Sequence, residues 1–121
     1  MISNQLKQEC NNRLIELRAE LINQSARVKN EYEKQDHGKD EADQTMAILA
    51  EKQFLTTQHR IRIKLQEIEL ALARIANGSY GVCEETYEPI EERRLISIPW
   101  TRLSIEGAEI REQSFKRRIA Q

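Results

Sequence analysis

The sequence has few of the residues that interrupt helices, with four glycines and two prolines in 121 residues. All of them except Gly38 lie between positions 78 and 107. Aromatic residues make up only 5% of the chain, whereas charged residues make up 32%. This composition disfavours a large globular core. It favours a small, mostly α-helical protein with a solvent-exposed coiled coil.

Long apolar runs and an excess of basic charge are also absent. No window approaches the ~18 apolar residues of a membrane span, and the first residues do not resemble a secretion signal, so we expect a cytoplasmic protein without membrane contact. The net charge of −1 argues against direct sequence-specific DNA binding, which needs surplus lysine and arginine. Neither Cys10 nor Cys83 has a histidine beside it. Because no nucleophile is paired with a general base in the sequence, we do not expect an enzyme.

Apolar residues recur with helical spacing in two long segments of the first 77 residues. After Ser3, a plausible N-cap, the first seam comprises Cys10, Leu14, Leu17, Leu21 and Val28, with polar Gln24 filling the place before Val28. The second seam comprises Ala47, Ala50, Phe54, Thr57, Ile61, Leu65, Ile68, Leu72 and Ile75. Two such seams predict a long antiparallel two-helix coiled-coil hairpin over residues 1–77. Asn77 and Gly78 are expected to end its second helix.

The stretch between the seams, residues 37–43, predicts a bend with an acidic tip at 38–45. Gly38 can adopt the left-handed conformation that ends a helix, and Asp40 can cap the helix that follows. Asp40 and Asp43 then share a face of its first turn, where the helix dipole favours negative charge. Taken alone, this pattern is typical of an ordinary helix cap.

The remainder of the chain predicts a knob and a last helix. Residues 78–108 hold most of the glycine and proline and the single tryptophan, which indicates a compact, irregular knob. Its expected packing residues are Leu95, Ile98, Trp100 and Leu103. Residues 109–121 predict a C-terminal helix with a basic end.

The segment from Gly78-Ser79-Tyr80-Gly81-Val82-Cys83 to Gly107 resembles the DksA/TraR family of bacterial transcription factors. Four cysteines bind zinc in that family, with two residues within each pair and 17 between the pairs. The chain keeps the spacing but holds Cys83, Thr86, Ser104 and Gly107 at these places. Hydroxyls are poor zinc donors and glycine has none. We therefore predict a degenerate, zinc-finger-like knob without metal, closed by apolar packing around a buried, inert Cys83.

Counting back from Cys83 without a gap, the family's tip motif Asp-x-x-Asp-x-Ala falls on Asp40, Asp43 and Thr45. The resemblance implies that the coiled coil enters the secondary channel of RNA polymerase, where the tip modulates initiation through open-complex stability. Thr in place of Ala at position 45 is a departure that can disturb close packing.

The resemblance also implies further contacts. Arg60 and Arg62 lie on the outer face of the second helix. This face is either an ordinary solvated surface or a contact with the polymerase, so both arginines are candidate polymerase contacts. Arg94 matches a family arginine that either braces the fold or binds. The family positions for the alarmone ppGpp, part of the stringent response, fall on Glu67, Ile98 and Ala108. None is basic, so no alarmone site is expected.

Two other functions compete with a monomeric regulator of RNA polymerase. A helical adaptor or dimeric coiled-coil protein would have the same seams without polymerase activity. A Gre-like transcript-cleavage factor also carries an acidic coiled-coil tip, but it needs a β-rich domain of roughly eighty residues, for which the chain after Gly78 is too short.

Overall fold

The computed structural model describes residues 2–35 and 41–120. Four helices follow one another in the order α1 (Asn4–Lys34), α2 (Glu41–Asn77), α3 (Glu92–Ser97) and α4 (Ile105–Ala120). Within the described residues the β-structure is one isolated antiparallel bridge between Val82 and Pro89. The mostly α-helical class, with a two-helix hairpin, a knob and a C-terminal helix, is confirmed. The predicted bend, including Gly38 and Asp40, lies outside the described residues.

Local chemistry sets the described ends of the long helices. The Ser3 hydroxyl oxygen accepts a hydrogen bond of 3.1 Å from the Leu6 amide, which makes Ser3 the N-cap of α1. Gly78 follows α2 with φ 85°, and the Ser79 amide donates to the Arg74 carbonyl at 3.0 Å. This pair of features is a Schellman ending, so the predicted stop at Gly78 is confirmed.

The chain groups into two compact units. The hairpin unit, Leu17–Gln66, joins part of α1 to part of α2. Within this unit the rings of Tyr32 and Phe54 stack with centroids 4.3 Å apart and an interplanar angle of 6°. The sequence prediction for its polar layer was wrong by one residue: Gln24 is exposed and Ser25 is half-buried. The helix uses a step of four from Leu21 at this point, which turns Ser25 toward the seam.

The base unit contains the residues up to Glu16 and those from Glu67 onward. Its core joins the two helix ends to the knob. The buried side chains other than the polar Thr101 and Ser104 are Leu6, Cys10, Leu14, Ile68, Ala71, Tyr80, Cys83, Ile90, Leu95 and Pro99. Of the packing residues predicted for the knob, Leu95 is buried, whereas Ile98, Trp100 and Leu103 are only half-buried. Tyr80 and Pro99 take the interior place instead, joined by a 2.8 Å hydrogen bond from the Tyr80 hydroxyl to the Pro99 carbonyl.

The last helix, α4, begins at Ile105. Ser104 caps it, because its hydroxyl oxygen accepts a 3.0 Å hydrogen bond from the Gly107 amide. The Glu91 carboxylate accepts a further bond from the Ile105 amide at 3.1 Å. Along the described part of the chain, none of the helices combines the length and the apolar character needed to cross a membrane.

Replacing Gly78 tests the role of backbone conformation at the end of α2. A Cβ at this position meets no atom within 4 Å, so Gly78→Ala should destabilise the protein through its positive φ alone, by about 1 kcal/mol. Gly78→Asn is the matched control and should lose less, because asparagine tolerates this region better. Urea unfolding measures both; equal stability of the alanine variant and wild type would contradict the assignment.

Candidate functional sites in the knob and the hairpin

The four places of the zinc pattern converge around the sulfur of Cys83. Its side chain is fully buried. A Cβ built on Gly107 would overlap Cys83 Sγ and would come within 3.3 Å of Glu85 Cβ and Ser104 Oγ. The sulfur therefore packs directly on the α4 backbone, in space that a side chain at position 107 would need.

The two hydroxyl residues of the pattern complete the surroundings of this sulfur. The Thr86 amide donates to Cys83 Sγ at 3.5 Å. The Glu88 amide donates to the Thr86 hydroxyl at 3.3 Å, and the Gly107 amide donates to the Ser104 hydroxyl. Burial opposes the thiolate, but hydrogen bonds from Ser104 and Thr86 outweigh it and lower the pKa of the Cys83 thiol to about 6.

These residues do not fit zinc. A structural zinc site needs four thiolate or imidazole donors in a tetrahedron. The cluster offers one sulfur and two hydroxyls that already accept backbone hydrogen bonds, and the fourth place has no side chain. Donor chemistry and packing therefore agree that the cluster is a single hydrogen-bonded cysteine and not a set of four zinc ligands.

Three side chains hold the loop between α3 and α4 by its carbonyl groups. Tyr80 binds the Pro99 carbonyl. Arg74 Nη2 donates to the carbonyls of Trp100 at 3.2 Å and Thr101 at 3.4 Å, and Arg94 Nε donates to that of Leu103 at 2.7 Å. Arg94 is thus placed as a brace of the knob. Sequence reasoning missed Arg74, because its partners lie 26 and 27 residues away along the chain.

Glu67, one of the three positions that match the family's alarmone site, forms an ion pair with Arg102. Glu67 on α2 accepts two hydrogen bonds from Arg102, at 2.7 Å from Nη2 and 3.1 Å from Nε. Both side chains are about one-third exposed, while Ile98 and Ala108 are half-buried. The Glu67 carboxylate therefore engages the guanidinium of Arg102. The sequence reasoning did not consider Arg102, which has no helical spacing to Glu67 that would signal the pair.

In the hairpin unit, Asp43 and Thr45 are exposed in the first turns of α2. Asp40 lies outside the described residues, so the structure does not show the two aspartates together. Arg60 and Arg62 are exposed, and Arg62 lines a groove of about 330 Å³ together with Leu55 and Gln58. The stretch from Lys52 to Gln66 contains no acidic residue. This part of α2 therefore presents a basic surface.

The protein has the fold of a helical hairpin joined to a zinc-finger-like knob. Comparisons with known proteins find the same fold. The profile of the prokaryotic dksA/traR C4-type zinc finger matches residues 78–113. The RNA polymerase-binding transcription factor DksA of Caulobacter vibrioides is 32% identical over 102 residues, which cover 84% of this chain and 72% of that protein. The structure of transcription factor DksA2 from Pseudomonas aeruginosa has 31% identity and a TM-score of 0.85, over 94% of this chain and 88% of that one.

A protein of Aquifex aeolicus is 51% identical over 45 residues, which cover 37% of this chain and only 31% of the Aquifex protein. The match to the Caulobacter protein, by contrast, spans most of both chains. The chain belongs to the DksA/TraR family.

A double-mutant cycle tests the contact between Cys83 and Gly107. Gly107→Ala should destabilise the protein by ~1–3 kcal/mol, because the added methyl overpacks the cluster. Cys83→Ala removes the sulfur that the methyl meets, so adding Gly107→Ala to it should have a clearly smaller effect. Additive losses, measured by urea unfolding of all four proteins, would show that the two positions are not in contact.

The Cys83 thiol also predicts a pH dependence. Its pKa is lowered in the folded protein from 9.0 to about 6, so between these values the unfolded chain binds more protons at this group. Its stabilising contribution is therefore complete above pH 9 and is lost as the pH falls through 6. Urea unfolding at pH 6 and pH 8 should show a steeper rise in stability for wild type than for Cys83→Ser; identical slopes would refute the shift.

Proposed function

We propose that this protein is a non-catalytic transcription regulator that binds RNA polymerase. The observation that carries the proposal is the family fold with Asp43 exposed at the start of α2, in register with the acidic tip motif. The Caulobacter relative, described as an RNA polymerase-binding transcription factor, supports the choice of partner. The bacterial cytoplasm is the compartment in which such a protein would act.

In this proposal the hairpin enters the secondary channel of the polymerase and presents Asp40 and Asp43 near its catalytic centre. Carboxylates there meet basic loops of the enzyme or act near its magnesium ions, which prefer oxygen ligands. By interacting better with one polymerase conformation than with another, they change the lifetime of open promoter complexes. Thr45, which is exposed two residues after Asp43, tunes the fit of the tip.

The three other candidate contacts, all arginines, have two different roles in this proposal. Arg60 and Arg62 are exposed on the basic part of α2 and suit an acidic surface of the polymerase. Arg94 is engaged by the Leu103 carbonyl, so we assign it to bracing the knob. This division supports α2 as the polymerase-facing helix of the hairpin.

We further propose that the knob works without zinc and without a family alarmone site. The Cys83 cluster lacks a zinc donor set, and the Cys83 sulfur occupies the space that a side chain at position 107 would need. The Glu67 carboxylate, paired with Arg102, would repel a polyphosphate at the family position. A protein of this kind can regulate transcription when zinc is scarce, and independently of ppGpp.

Charge removal at the tip tests the proposed function. Asp40→Asn/Asp43→Asn should bind core polymerase like wild type but should no longer shorten open-complex lifetime at a ribosomal RNA promoter. A tip interaction worth about 1.4 kcal/mol would change that lifetime about tenfold. Filter binding of the complexes after competitor challenge gives the lifetimes.

The matched control removes two exposed carboxylates elsewhere on the hairpin unit, as Glu31→Gln/Glu33→Gln, and should retain the effect. If wild type did not bind polymerase, this proposal would be wrong and a function as a helical adaptor would be favoured instead. If the tip variant shortened open-complex lifetime as much as wild type, Asp40 and Asp43 would have no role in the effect.

A further inference from the structure

One layer of the hairpin seam is polar. Ser25 on α1 and Gln58 on α2 are both half-buried and join by two hydrogen bonds. The Ser25 hydroxyl donates to Gln58 Oε1 at 2.7 Å, and Gln58 Nε2 donates to the Ser25 carbonyl at 3.1 Å. We call this pair the polar clamp. It satisfies both ends of the Gln58 amide within the seam.

The clamp discriminates between ways of pairing the two helices. If α2 slid along α1 by one turn, Gln58 would face the level of Leu21 or Val28, and Ser25 would face that of Phe54 or Ile61. The amide would lose both partners. Leaving a fully buried polar group unsatisfied costs ~1–3 kcal/mol, and the half-buried Gln58 amide would lose a part of that. Aliphatic layers tolerate such a slip much better, because each finds another aliphatic layer, whereas a single polar layer specifies register.

A second specific contact favours the same pairing. The Tyr32 and Phe54 rings stack between the polar clamp and the bend. An aromatic pair of this kind contributes about 0.5–1.5 kcal/mol beyond its buried area. A slip of one turn would separate the rings, so the stack and the clamp penalise the same alternatives.

We propose that Ser25 and Gln58, aided by the Tyr32–Phe54 stack, are positioning residues that fix the register of the hairpin and hence the place of Asp43. Asp43 and Gln58 belong to the same continuous helix. A slip of one turn therefore moves Asp43 by ~5.4 Å relative to α1. The consequence for polymerase rests on the proposed function above; the register itself does not.

The test measures the register directly. Spin labels go on Asn23→Cys and Glu51→Cys, two exposed positions of the hairpin unit. They are offset by nine residues, or ~13 Å, along the axis, so an axial slip changes their separation. Distance distributions by pulsed electron spin resonance are compared for wild type, Ser25→Ala/Gln58→Leu, and the same variant with Phe54→Leu. Cys10 and Cys83 are buried, and a sample without the introduced cysteines measures any labelling of them.

Wild type should give one distance population. The clamp variant should add a second population displaced by a few ångströms, since an axial slip of ~5.4 Å is only one component of the distance between the labels. This population should grow when Phe54→Leu is added. Gln24→Ala/Gln66→Leu, at two exposed positions, is the matched control and should keep a single population, as should Ser25→Thr, which retains the hydroxyl. One unshifted population in both test variants would overturn the proposal, as would their failure to form the helical hairpin by circular dichroism.

Polymerase assays on the same proteins separate the two proposals. The clamp variant should keep its melting temperature within a few degrees and bind polymerase, yet lose most of the tip effect on open-complex lifetime. Ser25→Thr, which keeps the hydroxyl, should retain that effect. If the distances shift as expected but wild type has no effect on polymerase, the register assignment stands and the proposed function fails.

Discussion

The packing of the Cys83 sulfur against the α4 backbone at Gly107 is the contact on which the knob depends. Metal-bound zinc fingers join two separated chain segments through one ion. Here the segments around Cys83 and Ser104 are joined by the sulfur itself, by amide groups and by two hydroxyls. Such a closure has little tolerance for added volume, because in a close-packed interior even one extra methyl group forces neighbouring atoms to move.

That closure explains the neighbouring features of the base unit. Ser104 both caps α4 and borders the sulfur, so the start of the helix and the cluster depend on the same hydroxyl. The loop before it is fastened by Arg74, Tyr80 and Arg94, all through its carbonyl groups. Side chains from α2 and from the knob thus connect the loop before α4 to the rest of the base unit.

The parts of the fold governed by local chemistry were predictable from the sequence. Ser3 and Gly78 mark helix ends because capping depends on a residue and its nearest neighbours. The spacing of the apolar seams predicted the hairpin. It could not decide whether Gln24 or Ser25 faces the other helix. Steps of three and four are both regular in a helix, and the hydrogen bonds to Gln58 decide the matter.

Long-range polar contacts were not predictable in the same way. Arg74 and Arg102 lie in sequences with no distinctive spacing, and their partners are 26 to 35 residues away. The replacement of zinc ligands by Thr86 and Ser104 was visible as a loss of donors. Their new roles, as hydrogen-bond partners of the sulfur and as a helix cap, depend on the fold and became visible only with it.

The metal content of the purified protein distinguishes a knob closed by the Cys83–Gly107 contact from a knob closed by zinc. Native mass spectrometry after incubation with equimolar zinc, followed by desalting, reports whether an ion is retained. The account predicts the mass of the bare chain and a thermal transition that a strong chelator does not move. Stoichiometric zinc in the folded protein, with a large drop in melting temperature on chelation, would contradict a knob closed by the Cys83–Gly107 contact.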